Sequence, residues 1–455
     1  MPGVQRVVVK LKDPVAPPAT DDKTAEDILA EGGLLTRMRL LYPARGLKVS
    51  RLLTSVSPTR IRELMAAAES ADYHPPNFNA YAFVLVDELD DVTPLGMLLD
   101  IEPTVESWYN DPDSENPAEV QPANDPKSVQ QGYLNPAPGG LDVHALWREP
   151  GAAGKDISFA DVELGWTIDH GELVDPTTGL PRAKVVGGGV ISKETLLLEH
   201  GTRVLGVVFA ADNTSDVVGI APKVERPYVA PYLTTDIISQ NRADAIAAAT
   251  DRLVTDRGGV LLLEIQIIEP DFNASDPTDN SRLPAEALDA EFQLIRLATH
   301  IGGAPIVVVE CAGNGGRDLN LFAQPQRRSL KQPTVSTDDS GAIMVGGATS
   351  SGTHRATAST NFGGRVDCYA WGEDVVTLTA TPAAPFNGTS AAGAIIAGAC
   401  VSIQGIRKAA GKPLLSSLAM RTLLKQGGTP VLSRARNKRT QIGVMPNLRQ
   451  VVIAM

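Results

Sequence analysis

Residues Phe386-Asn387-Gly388-Thr389-Ser390 run straight into an uncharged stretch of small and apolar residues, Ala391 to Ile403. Glycine lets the chain turn sharply, so the hydroxyl that follows would sit in the first turn of a buried helix. A helix N-terminus offers unpaired N–H groups and a partial positive charge, which suits a nucleophile whose attack creates an oxyanion. Gly-Thr-Ser before an Ala-rich helix is also an ordinary N-cap, so other residues must decide. Two upstream segments hold the groups such a serine would need. Glu199-His200-Gly201-Thr202-Arg203 carries an imidazole, and Ile157-Ser158-Phe159-Ala160-Asp161-Val162-Glu163 carries Asp161 near the end of an apolar strand. A serine hydroxyl is a poor nucleophile near pH 7 without a base, and the base needs a buried carboxylate to fix its tautomer. A fourth segment, Ile306-Val307-Val308-Val309-Glu310-Cys311-Ala312-Gly313-Asn314, ends a valine-rich strand on an asparagine.

These four landmarks, in this order, resemble the subtilisin-like serine peptidases (subtilases). Gly219-Ile220-Ala221-Pro222 and Ser359-Thr360-Asn361-Phe362-Gly363 are smaller echoes of the same family, and the resemblance spans about residues 133–450. It implies a triad of Asp161, His200 and Ser390, with the Asn314 amide donating to the oxyanion. It also implies that the strand matching Val260–Gln266 forms one wall of the pocket for the residue before the scissile bond, with Ala312 and Gly313 on the other. In that reading Glu264 would favour a basic substrate side chain, unless a one-residue slip turns it to the opposite face. The acidic stretch 269–280 follows and reads as a solvated excursion or as a lip to the cleft. Arg203 and Ala394 depart from the family pattern at positions that do no bond chemistry. His170, outside the His-Gly-Thr context, is a rival base that His200 outweighs.

The elements that must hold these residues alternate as strand and helix, the signature of a parallel sheet covered on both faces. Strands are expected over Asp156–Val162, Gly259–Ile268, Pro305–Cys311, Ala342–Ala348 and Arg365–Ala370. Helices are expected over Asn241–Val254 and Pro284–Ile301, and after His200 and Ser390. Functional residues then fall at the carboxyl ends of strands. Ahead of this domain, strands at Gln5–Leu11, Leu47–Leu53, Asn79–Val86 and Val105–Tyr109 alternate with helices over Thr24–Leu41, Ser57–Ala71 and Pro94–Leu99. That order is similar to the ferredoxin-like propeptides of subtilases, so the expected fold is α/β, a subtilisin-like sheet plus a small N-terminal α+β domain. The expected divisions are a propeptide-like unit over 1–109, a Pro-rich acidic linker over 110–130 and a catalytic domain over 131–455.

Composition fits a globular enzyme. The 455 residues are 43% apolar, with 53 acidic and 41 basic side chains and a net charge of −12, which argues against nucleic acid or an anionic membrane as partner. The Ala391–Ile403 run is too short to span a bilayer. Cys311, Cys368 and Cys400 each lie in an apolar segment and suit free thiols in a reducing compartment. With no charged-then-apolar leader pattern, the expected location is the cytoplasm.

The activity expected is that of a serine endopeptidase acting on a protein or peptide through an acyl-enzyme. A peptide-binding pseudoprotease, or a transpeptidase or peptide cyclase on the same fold, are the alternatives. The chemistry requires no cofactor. Family members often carry structural calcium, to which no cluster in this sequence is assigned. Residues 1–109 are expected to inhibit the enzyme intramolecularly, as in a zymogen.

Overall fold

The computed structural model describes the chain except residues 1–3, 13–28, 30–32, 43–46, 88–91, 112–127, 176, 214–216, 236–239, 269–281, 325, 352, 379–384 and 432–440. Most of the expected linker, the acidic stretch 269–280 and the start of the Thr24–Leu41 helix therefore lie outside the described residues.

The N-terminal unit runs β1 (Val4–Leu11), α1 (Leu34–Leu41), β2 (Lys48–Arg51), α2 (Pro58–Ala68), β3 (Tyr81–Asp87), α3 (Thr93–Ile101) and β4 (Val105–Asp111). Its four antiparallel strands lie in the order β2-β3-β1-β4. Strand alternation gives the sheet two apolar faces. Val7, Val9, Val84 and Val86 pack with Leu34, Leu35 and Met38 of α1 to make the unit's own core. Val8, Phe83, Leu85 and Tyr109 point the other way and join the core of the large domain. Ser57 caps α2 by accepting from Arg60 N–H at 3.1 Å, and Pro58 opens that helix.

The large domain adds α4 (Val143–Leu146), β5 (Ser158–Glu163), β6 (Lys184–Val185), α5 (Thr195–Phe209), β7 (Arg226–Pro231), α6 (Arg242–Thr255) and β8 (Gly259–Leu263). A ribbon of β9 (Ile267–Ile268) with β10 (Arg282–Leu283) follows, then α7 (Asp289–His300), β11 (Ile306–Cys311), β12 (Ile343–Ala348) and β13 (Cys368–Trp371). Helices α8 (Thr389–Ala409) and α9 (Ser417–Leu424), strands β14 (Thr429–Pro430) and β15 (Val444–Met445), and α10 (Leu448–Ile453) complete the domain. The nine-stranded sheet has the order β14-β15-β13-β12-β11-β8-β5-β7-β6 and is parallel except for β14. Its central strands β5, β8 and β11 are buried along their whole length, as a sheet covered on both faces requires.

Helix α8 crosses one face of that sheet. At 21 residues it is long and apolar enough to pass for a membrane span, yet it is buried within the domain from Thr389 to Ile406 and is its core helix. The expected fold class is the observed one. Strand β5, however, extends through Glu163, one residue beyond the expected Val162, and that residue changes the site.

Candidate active site

Register places the reactive side chains. Val162 pairs with Leu263 and Glu310 pairs with Leu263, so one step further along lie Glu163, Glu264 and Cys311, at the carboxyl ends of three adjacent parallel strands. Asp161 pairs with Leu262, which pairs with Val309, making the row below on the same face. That face meets α8. A Cβ added at Gly393 would lie 2.6 Å from Cys311 Sγ, 3.4 Å from Glu264 Oε1 and 3.6 Å from Leu262 Cδ1.

Ser390 lies in the first turn of α8, nearly buried, after Gly388 as N-cap. Gly388 has φ +94°, a backbone region costly to any side chain, and an added Cβ would lie 3.0 Å from Asn314 Nδ2. The motif glycine therefore serves the turn and leaves room for the asparagine. Asn314 is held on both sides. Its backbone N–H donates to Gln266 Oε1 at 3.0 Å, and its Oδ1 accepts from Thr389 N–H at 2.9 Å and from the Thr389 hydroxyl at 3.2 Å. With Oδ1 taken by those donors, the amide nitrogen is the end left to donate, and it lies beside Gly388.

His200 lies on α5, and its ring meets Phe386 edge-on with centroids 5.2 Å apart. The neighbours in its motif dock the helix. A Cβ at Gly201 would come 2.2 Å from Gly165 O, so only glycine lets α5 approach the segment after β5. Thr202 ties the same segment down by accepting from Thr167 N–H at 2.9 Å. Arg203 is buried and pairs with Glu199 at 3.6 Å.

The carboxylate on His200 is Glu163, which is hydrogen-bonded to Nδ1. Asp161 instead accepts from Trp166 Nε1 at 2.7 Å and is fully buried. The assignment of the imidazole's partner to Asp161 is corrected accordingly. The two acids are two residues apart on one strand, so alternation puts them on one face and cannot choose between them. Position along the strand can: groups at the carboxyl end reach the cleft, and Glu163 is the last residue of β5.

Glu264 faces inward and is nearly buried, with Oε2 accepting from Cys311 Sγ at 3.4 Å. Its carboxyl lies under α8 beside Ser390, not on an open pocket wall, which corrects the expectation of a charge awaiting a basic substrate side chain. Ala312 and Gly313 continue from β11. Ala312 is buried, its carbonyl accepting from Asn361 Nδ2 at 2.7 Å, and Gly313 O accepts from Asn361 N–H at 3.0 Å. The rival base His170 sits apart, its Nδ1 accepting from Glu172 N–H at 3.2 Å.

Electrostatics follow from burial. Asp161, Glu163 and Glu264 are all pushed well above the usual carboxylate range, by desolvation first. Desolvation pulls His200 down to about 4, with the Glu264 charge opposing and Arg203 reinforcing. Among the described residues no group of three or more His, Cys, Asp or Glu is arranged to hold a metal ion.

The model of the subtilase family matches residues 191–438, more than half of the chain. The chain belongs to the subtilase family. The match begins beyond Glu163, so β5 and its acids stand on the structure alone. Solved structures similar to this subtilase include the patellamide maturation protease PatA, with 20% identity, TM-score 0.46 and coverage of 66% of this chain and 97% of that one. Another is the prenylagaramide maturation protease PagA, with 18% identity, TM-score 0.48 and coverage of 69% and 98%. No curated protein matches the chain by sequence.

Proposed function

We propose that this subtilase is a serine endopeptidase whose triad is Ser390, His200 and Glu163. The hydrogen bond between His200 Nδ1 and Glu163 carries the reading, because it leaves Nε2 as the ring nitrogen that takes the proton. Ser390 attacks the scissile carbonyl, His200 accepts its proton and returns it to the leaving amine, and an acyl-enzyme forms and is hydrolysed. The Asn314 amide and the Ser390 N–H stabilise the tetrahedral oxyanion, with Thr389 orienting the amide. Ala312 and Gly313 line the approach for the residue before the scissile bond. The chemistry draws on these side chains and water, without a cofactor, and the three buried free thiols fit a reducing cytoplasm.

The N-terminal unit is the natural inhibitor in this reading. Its free sheet face lies on α6 and α7, fastened by Tyr81 hydroxyl to Asp289 at 3.1 Å, Asn241 Nδ2 to Leu52 O at 2.8 Å and Asp244 to the Thr54 and Ser55 amides. The test is incubation with a library of defined peptides and analysis of the products. Two fragments with a free new amine mark an endopeptidase. A single joined product marks a transpeptidase, and tight binding without turnover marks a pseudoprotease; either would replace this proposal.

A further inference from the structure

Glu264 is, with Asp161, one of two buried acids at the site that the triad does not use. It reaches the site one step past the end of β8, beside Glu163 laterally and under the first turn of α8 vertically. Ser390 and Gly393 are three residues apart on that helix and so share a face. A Cβ at residue 393 would come 2.6 Å from Cys311 Sγ but only into ordinary contact, 3.4 Å, with Glu264 Oε1, so the glycine makes room for the thiol that partners Glu264. The groups acting on Glu264 come from every element around it: His200 on α5, Glu163 and Asp161 on β5, Ser390 on α8 and Cys311 on β11. Glu264 Oε2 has the Cys311 thiol as donor, whereas Oε1 is buried with no hydrogen-bond partner. Asp161 Oδ1 and Glu163 Oε2 are buried without partners too.

A buried carboxylate oxygen without a donor is costly, but a protonated one becomes a donor and needs an acceptor instead. Three buried carboxyls that repel one another cannot all be ionised at modest cost. Glu163 has the imidazole N–H to balance its charge, and Asp161 has the Trp166 indole. Glu264 has the weakly donating Cys311 thiol and, beside it, the Ser390 hydroxyl that must be aimed. We propose that Glu264 is a positioning residue for the nucleophile: as the neutral acid it donates its proton in a hydrogen bond to Ser390 Oγ, leaving the serine's own hydrogen directed at His200. This rests on the peptidase reading above and deepens it.

The sign of the pH dependence follows. Below its raised pKa, Glu264 is neutral and the serine hydrogen is free for His200. Above it, the carboxylate accepts that hydrogen itself and the rate falls. Glutamine copies the neutral acid, since its amide can donate to Ser390 while its oxygen accepts from Cys311.

The experiment is the rate of labelling by a fluorophosphonate against pH in the full chain, for wild type, Glu264→Gln and Glu264→Ala, with a thermal melt of each. The expected result is that Glu264→Ala labels about tenfold more slowly, the size of one lost hydrogen bond, at a retained melting temperature. Glu264→Gln should recover most of that rate and lack the alkaline decline of the wild type. Cys311→Ala leaves Glu264 in place but removes a donor to its charged form, so the alkaline decline should move to higher pH. An unchanged alkaline limb in both Glu264→Gln and Cys311→Ala would overturn the proposal. So would equal slowing of the glutamine and alanine variants in folded protein. If the wild type fails to label at any pH, it is the peptidase reading that falls, and this role with it.

Discussion

Replacing Glu163 with glutamine and, separately, Asp161 with asparagine discriminates between two acids on one face of one strand. Both substitutions keep shape and remove charge. Glu163 receives the His200 Nδ1 hydrogen, so a glutamine there can present its NH₂ to Nδ1 and stabilise the tautomer whose Nε2 carries the hydrogen. That tautomer cannot take the serine proton. Loss of the equivalent charge in a Ser-His-Asp triad costs ~10⁴-fold in turnover, equivalent to about 5.5 kcal/mol of barrier. Asp161 offers a different ledger. Its single partner is Trp166 Nε1 at 2.7 Å, which the asparagine oxygen still satisfies, and the unpartnered Oδ1 becomes an amide. Removal of its charge also relieves repulsion with Glu163. Asp161→Asn should therefore stay within about tenfold of wild type. The assay is the second-order labelling rate with a fluorophosphonate, with circular dichroism melts to show that both variants fold. A Glu163→Gln protein as reactive as wild type would refute the assignment, and a larger loss in Asp161→Asn than in Glu163→Gln would reverse it.

Other outcomes follow from the same geometry. Gly388→Ala should cost about 1–3 kcal/mol of stability through its positive φ. It should also lower turnover by about 10²-fold, the size known for losing one oxyanion donor in subtilisin, because the added Cβ crowds Asn314; kinetics on a cleaved peptide and a melt read both. Arg242 is fully buried between Asp111, shared with Arg6 at 3.0 Å, and Glu291 at 3.4 Å, so Arg242→Ala should loosen the N-terminal unit by about 3–5 kcal/mol, seen as a separate early transition in calorimetry. Lowering the pH through about 4 should abolish labelling as the His200 imidazole takes a proton and ceases to be a base, a loss reversed on return to neutral pH. Cutting the 112–127 segment should raise peptidase activity and adding residues 1–109 in trans should lower it, measured by hydrolysis of a fluorogenic peptide.

Much of this molecule was legible in the residues. Gly-Thr-Ser before an uncharged run locates α8 and Ser390, and His-Gly-Thr locates His200, because glycine and threonine there have specific packing duties of their own. Buried parallel strands read as continuous apolar runs, so β11 and β12 were found within a residue of their ends. The same continuity hides which way a side chain points and where a strand stops. That is why Glu163 went unassigned: the expected strand ended at Val162, and Asp161 and Glu163 share a face. Glu264 shows the complementary difficulty. Its position after β8 is evident, but only the register with β5 and β11 and the contact with Gly393 show that it turns under α8 toward Ser390. The expected strand to Ile268 in fact stops at Leu263, and the chain then turns into the β9–β10 ribbon.

The most direct test of the central claim is the site of covalent capture. Full-length protein treated with a fluorophosphonate and digested for peptide mass analysis should carry one adduct, on Ser390. The adduct should be absent from Ser390→Ala and reduced at least about 10³-fold in rate in His200→Ala. No adduct at Ser390 in folded wild-type protein, or an equal rate in His200→Ala, would contradict a serine activated by His200 and Glu163.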